Sequence, residues 1–416
     1  MTHNQALEMK LDTKYWLKFS IFNLLLVAGL GALMRYKIGF EFPYFDQKYI
    51  QEAHSHFAFI GWITHTIYVL MINFIQSKVT EGHFKNYRIL LIANLICAYG
   101  IIISFATQGY GIISITLLTF TIIIACFFAW NVIKDLNKIE GKHPSVAWFK
   151  SALWFNIISS IGTFYLGYMM VTRDFDEHLY LASVYFYLHF QYNGFFIFSC
   201  MGLVYSQINK IFPSFKMDNS IFILFFASAI PAYFLSTLWA NLPWWLYAIV
   251  IIAALVQVIA WVKFLGKIRN SLNSQTNLTN FMKYLFLFVA IAFSIKLVLQ
   301  LGSTIPMVSK LAFGFRPIVI AYLHLVLLAV VTVFLLAFVH SFNFIKENKL
   351  SITGIALFSI GIFLNELVLA IQGIASFSYI AVPMANEMLF IIALILFASL
   401  ALLVISQTKK EAKDVL

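Results

Sequence analysis

The chain has 416 residues, of which 62% are hydrophobic and 11% charged, and its mean hydropathy is +0.87. Such values exclude a soluble globular domain and describe an integral membrane protein with short connecting loops. The formal net charge of +11 does not indicate a nucleic-acid partner, because the basic residues lie mostly in loops and follow membrane topology.

The first residues are polar up to Lys14 and show no cleavable signal, so the first apolar run is expected to stay as a membrane helix. Apolar runs of about 20 residues predict spans at 16–35, 49–77, 87–107, 111–133, 149–172 and 178–206. Six more follow at 219–240, 243–266, 281–302, 317–342, 351–372 and 386–407. The 44 phenylalanines make the bundle bulky rather than tight through Gly and Ala. Nothing resembles a long soluble insertion or a low-complexity tract. The expected fold is all-α: a polytopic bundle of twelve transmembrane helices in a single domain over residues 1–416. Lys10, Lys14, Lys18, Lys78, Lys85, Arg88, Lys134, Lys138, Lys142, Lys150, Lys210 and Lys216 mark the N-terminal segment and the even loops. Lys263, Lys267, Arg269, Lys283, Lys346, Lys349, Lys409, Lys410 and Lys413 continue the pattern, which predicts both termini in the cytoplasm. Cys97, Cys126 and Cys200 fall inside spans, form no heme-attachment or zinc pattern, and are expected to be buried thiols.

Histidine recurs on spans that run the same way. His54 and His56 lie in the second, His189 in the sixth and His324 in the tenth. Imidazole is costly in hydrocarbon and well suited to iron or copper, so the repetition points to a metal or a heme. His54 and His324 are expected roughly 8–10 Å below the outer interface, at about 1.5 Å per residue, with His189 deeper. Only one of His54 and His56 can face a given partner, since residues two apart point to nearly opposite sides of a helix. His54 shares a stripe with Ala58, Gly61 and His65, whose small residues would leave room for a macrocycle, and His56 shares one with Ile60, Ile63 and Ile67. In span six, Tyr185, His189, Tyr192 and Asn193 share a face. That stripe suits a second metal, a proton relay, a polar ligand, or hydrogen bonds that glue helices together. Lys296, four residues before Gln300, and Glu366 are intramembrane charges, either functional or a structural pair.

These motifs resemble the catalytic subunit of the heme-copper oxidase superfamily, closest to its nitric oxide reductase branch. The resemblance rests on Gly31-Ala32-Leu33-Met34-Arg35 closing span one, Ala53-His54-Ser55-His56-Phe57 opening span two, His189-Phe190-Gln191-Tyr192-Asn193-Gly194, and Ala321-Tyr322-Leu323-His324-Leu325. It implies a low-spin heme b ligated by His54 or His56 together with His324. Lys296 and Arg316 are placed to neutralise its propionates. Two departures stand out. Span seven, 219–240, has no histidine where the family carries a metal-binding pair, and Tyr322 stands at the position of the high-spin heme ligand. A binuclear centre is therefore expected to be lost or rebuilt, and His189 by itself offers too few ligands for a second heme, copper or iron.

The resemblance implies a heme b electron-transfer or redox protein of the bacterial inner membrane. A cytochrome c or copper-protein donor and further oxidase-like subunits would be its partners, beside membrane lipid. One alternative is a reductase of nitric oxide or dioxygen using His189, Tyr192, Asn193 and Tyr322. Another is a transporter or structural protein without heme on the same scaffold.

Overall fold

A computed structural model describes residues 10–141, 143–271, 276 and 278–408. The predicted topology lysines Lys142, Lys409, Lys410 and Lys413 lie outside the described residues. Among the described residues twelve long helical stretches and one short helix follow one another, and no strand occurs. They are α1 (Thr13–Gly39), α2 (Gln47–Gln76), α3 (Phe84–Gln108), α4 (Ile112–Leu136), α5 (Pro144–Thr172) and α6 (177–211). Then come α7 (Asn219–Ala229), α8 (Trp244–Ser271), α9 (Asn280–Gly302), α10 (Pro317–Ser341), α11 (Lys349–Phe377) and α12 (Ala385–Thr408). A short helix, Pro306–Gly314, precedes α10.

The starts are set by side chains that accept from orphan backbone N–H groups. Asp12 caps α1, Asp46 caps α2, Asp176 caps α6 and Asp218 caps α7. Asn348 and Ser351 make a capping box at α11.

Among the described residues, nine helices are long and apolar enough to cross a membrane by themselves, and the broken α7 makes a tenth. The chain is a multi-pass membrane protein. The count differs from the twelve expected spans because α5 and α6 carry Asn156, Ser159, Gln191 and Asn193, which lower their hydropathy without shortening them. Span seven, expected to be continuous, stops at Ala229, resumes as a 3₁₀ segment from Pro231 to Thr237, and bends by 46°. Pro231 supplies no N–H and its ring clashes with the preceding turn, which accounts for the break.

The chain divides into two compact units. The first comprises residues up to 73, 83–124 and from 335 onward. Within it α1 packs on α12 and on the opening of α2, α2 packs on α3, and α11 pairs with α12. The second comprises 74–82 and 125–334. There α5 packs along α6, α7 on α8, α8 on α9, and α9 against the middle of α10. Its core includes Trp148 among Phe198, Tyr205 and Phe222, with Phe155 against Phe190 and Phe198. Cys97 and Cys200 are buried as expected, but Cys126 is exposed on α4, a helix that turns much of its surface outward.

Candidate functional site

Each histidine-bearing span changes its winding where the histidine sits. In α2 the α-helix gives way to a π segment at Ala58–Thr64, just after His54 and His56. In α6 the π segment Phe190–Phe196 begins at the residue after His189, and in α10 the segment Leu325–Thr332 begins at the residue after His324. π turns are rare and concentrate at functional sites. They also shift the side-chain register, so the stripe His54-Ala58-Gly61-His65 drawn at α-helical spacing does not persist. The room beside Gly61 is taken by the ring of Phe57, which a Cβ at 61 would meet at 2.5 Å. His65 lies instead by Trp16, with ring centroids 6.0 Å apart, and 3.5 Å from the Asn94 amide.

His54 is half-buried, and its Nδ1 lies 3.0 Å from the carbonyl oxygen of Val27 in α1. A carbonyl only accepts, so Nδ1 carries the proton and the lone pair resides on Nε2. Gly31 makes this approach possible: a Cβ there would stand 3.3 Å from His54 Cε1. His56 points elsewhere in the same unit. Its Nε2 is 2.9 Å from the Tyr110 hydroxyl, which donates to Glu52 Oε2 at 3.2 Å, and its ring stacks on Phe105 at 4.7 Å. The isoleucine stripe assigned to His56 is thus replaced by a polar and aromatic contact with the end of α3 and the loop after it.

In the second unit His189 is 1% exposed, and both ring nitrogens are engaged. Nε2–H donates to the carbonyl of Ala229 at 2.9 Å, and Nδ1 accepts from the Asn193 amide at 3.1 Å. Ala229 is the last residue of α7 before the proline break, where a carbonyl loses its helical donor. His189 supplies one. Gln191, a residue the sequence pattern did not single out, donates to Asn156 and Ser159 of α5, both at 2.8 Å. The polar face of α6 therefore binds helices together, one of the roles open to it from sequence. Tyr192 is buried and meets Tyr322 edge-to-face at 6.3 Å. Among the described residues no three His, Cys, Asp or Glu side chains converge on a common metal position.

His324 is half-buried, and its Nδ1 lies 2.8 Å from the Ile320 carbonyl one turn back in its own helix. By the same logic its lone pair is on Nε2. Lys296 is 2% exposed, its ammonium lies 5.3 Å from the centroid of the Phe293 ring, and it makes no ion pair among the described residues. Gln300 Oε1 and Asn193 Oδ1 are buried without a hydrogen-bond donor among the described residues. Glu366 accepts from Asn365 at 3.0 Å. The side chain of Arg316 lies outside the described residues.

No family profile and no curated protein matches the sequence. A solved chain does: one from a heme-copper terminal oxidase dimer, determined by cryo-EM, aligns with a TM-score of 0.67. The alignment covers 95% of this chain and 83% of that one at 13% identity. The chain has the fold of that oxidase. At this identity the likeness describes the path of the backbone, and the chemistry has to be argued from the side chains present.

Proposed function

We propose that the protein is a heme b-binding redox protein of the bacterial inner membrane, with His54 of the first unit and His324 of the second as the candidate imidazole ligands of a low-spin heme. The observation that carries this reading is their shared tautomer. Each donates Nδ1–H to a backbone carbonyl, Val27 or Ile320, with the lone pair on Nε2. That is the arrangement of a metal-binding imidazole, because the carbonyl fixes the ring and raises the basicity of the opposite nitrogen. His56 engages the Tyr110 hydroxyl through Nε2, whereas His54 meets a backbone carbonyl through Nδ1, so His54 is the ligand proposed in α2. Heme b, when bound, supplies a one-electron couple at its iron. Lys296, buried without an ion-pair partner among the described residues, is proposed with Arg316 as counter-charge for the propionates, since a buried cation demands compensation.

Among the described residues no ligand set for a second metal accompanies His189, and the proposal includes none. His189 has no uncommitted nitrogen, and a copper or iron site needs further ligands. Tyr192, Asn193 and Tyr322 are accordingly read as packing around α6. The twelve-span topology with cytoplasmic termini, a cytochrome c or copper-bearing donor, and further subunits belong to the same proposal. The test is the reduced-minus-oxidised spectrum and pyridine hemochrome of the purified protein. Bis-imidazole heme b should be lost in His54→Ala and His324→Ala and kept in His56→Ala and His189→Ala. Iron-free protein, or an unchanged spectrum in His324→Ala, refutes the assignment. Consumption of nitric oxide or dioxygen that disappears in His189→Ala would establish the reductase reading instead.

A further inference from the structure

An apolar cleft of about 470 Å³ opens in the second unit between α6, α8, α9 and α10. Its walls are aliphatic and aromatic, among them Met201, Val204, Trp261, Phe264, Ala290 and Phe293. Among the described residues two of the lining side chains are charged, and both are basic: Arg269 near the end of α8 and Lys283 near the start of α9. Both are exposed at the same end of the unit, in the loop region that the positive-inside pattern assigns to the cytoplasm. From residue 283 to residue 293 the helix rises about 15 Å. That is half the ~30 Å hydrocarbon thickness, or one leaflet. At its inner end the cleft reaches Ile197, directly after the π segment of α6, and Val330 within that of α10.

We propose that this cleft is a specific site for an anionic phospholipid of the cytoplasmic leaflet. One acyl chain lies along α9, and the phosphate is held by Arg269 and Lys283. The volume falls within the ~300–1,000 Å³ of small-molecule sites, and the depth matches one leaflet. Charge complementarity selects the headgroup: a zwitterionic lipid brings a further cation to a mouth that already holds two, whereas an anionic lipid brings a phosphate with no cation of its own. A polar headgroup inserted deeper would find no charged partner, since the inner lining is apolar. Occupancy would also reach the interior, because Phe293 is both a wall of the cleft and the ring beneath the Lys296 ammonium.

The test uses the full chain in detergent, offered equimolar phosphatidylglycerol and phosphatidylcholine and read by native mass spectrometry. Phosphatidylglycerol should be retained preferentially. Each cation near an anionic headgroup contributes about fivefold, so R269Q/K283Q should lower that preference by roughly 25-fold. K138Q, which removes a lysine outside the cleft, should leave it intact. A diazirine in the acyl chain of phosphatidylglycerol should label residues 197–212 and 286–293, a readout that needs no variant. Equal retention of both lipids, a preference that survives R269Q/K283Q, or labelling spread evenly over all exposed helices overturns the proposal. So does full displacement of the lipid by inorganic phosphate alone, which would make this an anion site and not a lipid site.

Discussion

Asn23→Ala should destabilise the protein by about 2–4 kcal/mol. Asn23 is completely buried in α1, where its amide donates to the Gly61 carbonyl at 2.6 Å and its oxygen accepts from the Tyr99 hydroxyl at 2.7 Å. Gly61 sits in the π segment of α2, and the neighbouring Ile60 carbonyl accepts from the Asn94 amide at 3.3 Å. A π turn displaces carbonyls from the regular ladder, and in hydrocarbon no water replaces the lost donor. Truncation removes two hydrogen bonds, each worth about 0.6 and at most about 1.7 kcal/mol inside membranes. It also strands the Gly61 carbonyl, at roughly 1–3 kcal/mol, and leaves a small cavity. These costs overlap, which gives the range stated. The assay is reversible unfolding of the purified protein in mixed micelles, run as a double-mutant cycle with Tyr99→Phe. The cycle should return a coupling of about 0.5–1.7 kcal/mol between the two sites. If Asn23→Ala falls within about 0.5 kcal/mol of wild type, or the coupling is zero, the amide does not support the π segment and the reasoning fails.

Three further outcomes follow from the geometry. A Cβ at Gly162 in α5 would stand 2.5 Å from the Ser183 carbonyl oxygen and 3.0 Å from the Tyr187 nitrogen. Both are backbone atoms of α6, so Gly162→Ala should cost about 1–3 kcal/mol by forcing the helices apart. Gly266→Ala, where nothing lies within 4 Å, should be neutral or stabilising in the same mixed-micelle unfolding assay. Asp218, at the α7 cap, is held down from its ordinary 3.8 to about 2, chiefly by hydrogen bonds from the Ser220 hydroxyl and backbone N–H and then by Lys263. A depressed carboxyl pKa contributes stability that is present above the ordinary value and lost as pH falls through the folded one. The gap between wild type and Asp218→Asn, which keeps a capping side chain but removes the carboxylate charge and is at most about 1 kcal/mol at this exposed site, should therefore stay constant from pH 8 to about 4 and close towards pH 2. A gap that does not change with acid would remove the carboxylate from the explanation.

The composition and the apolar runs were sufficient to establish a multi-pass helical protein and to locate its helices within a few residues, because burying some 20 apolar residues in lipid leaves the backbone no option but a helix. They also brought out the histidine positions, since polar groups in long apolar runs are conspicuous. Which imidazole does what was beyond their reach. Neither the π segments nor the capping of the broken α7 by His189 has a local sequence signal; the first depends on amides such as Asn23 and Asn94 arriving from other helices, and the second on a proline some forty residues away. The different surroundings of His54 and His56 were likewise tertiary: Val27 and Gly31 of α1 meet one ring, and Phe105 and Tyr110 meet the other. Hydrophobicity acts on each segment alone, so a sequence carries it openly. Hydrogen-bond partnership between helices exists only once they pack, and it is this partnership that sets which nitrogen of each histidine keeps its lone pair.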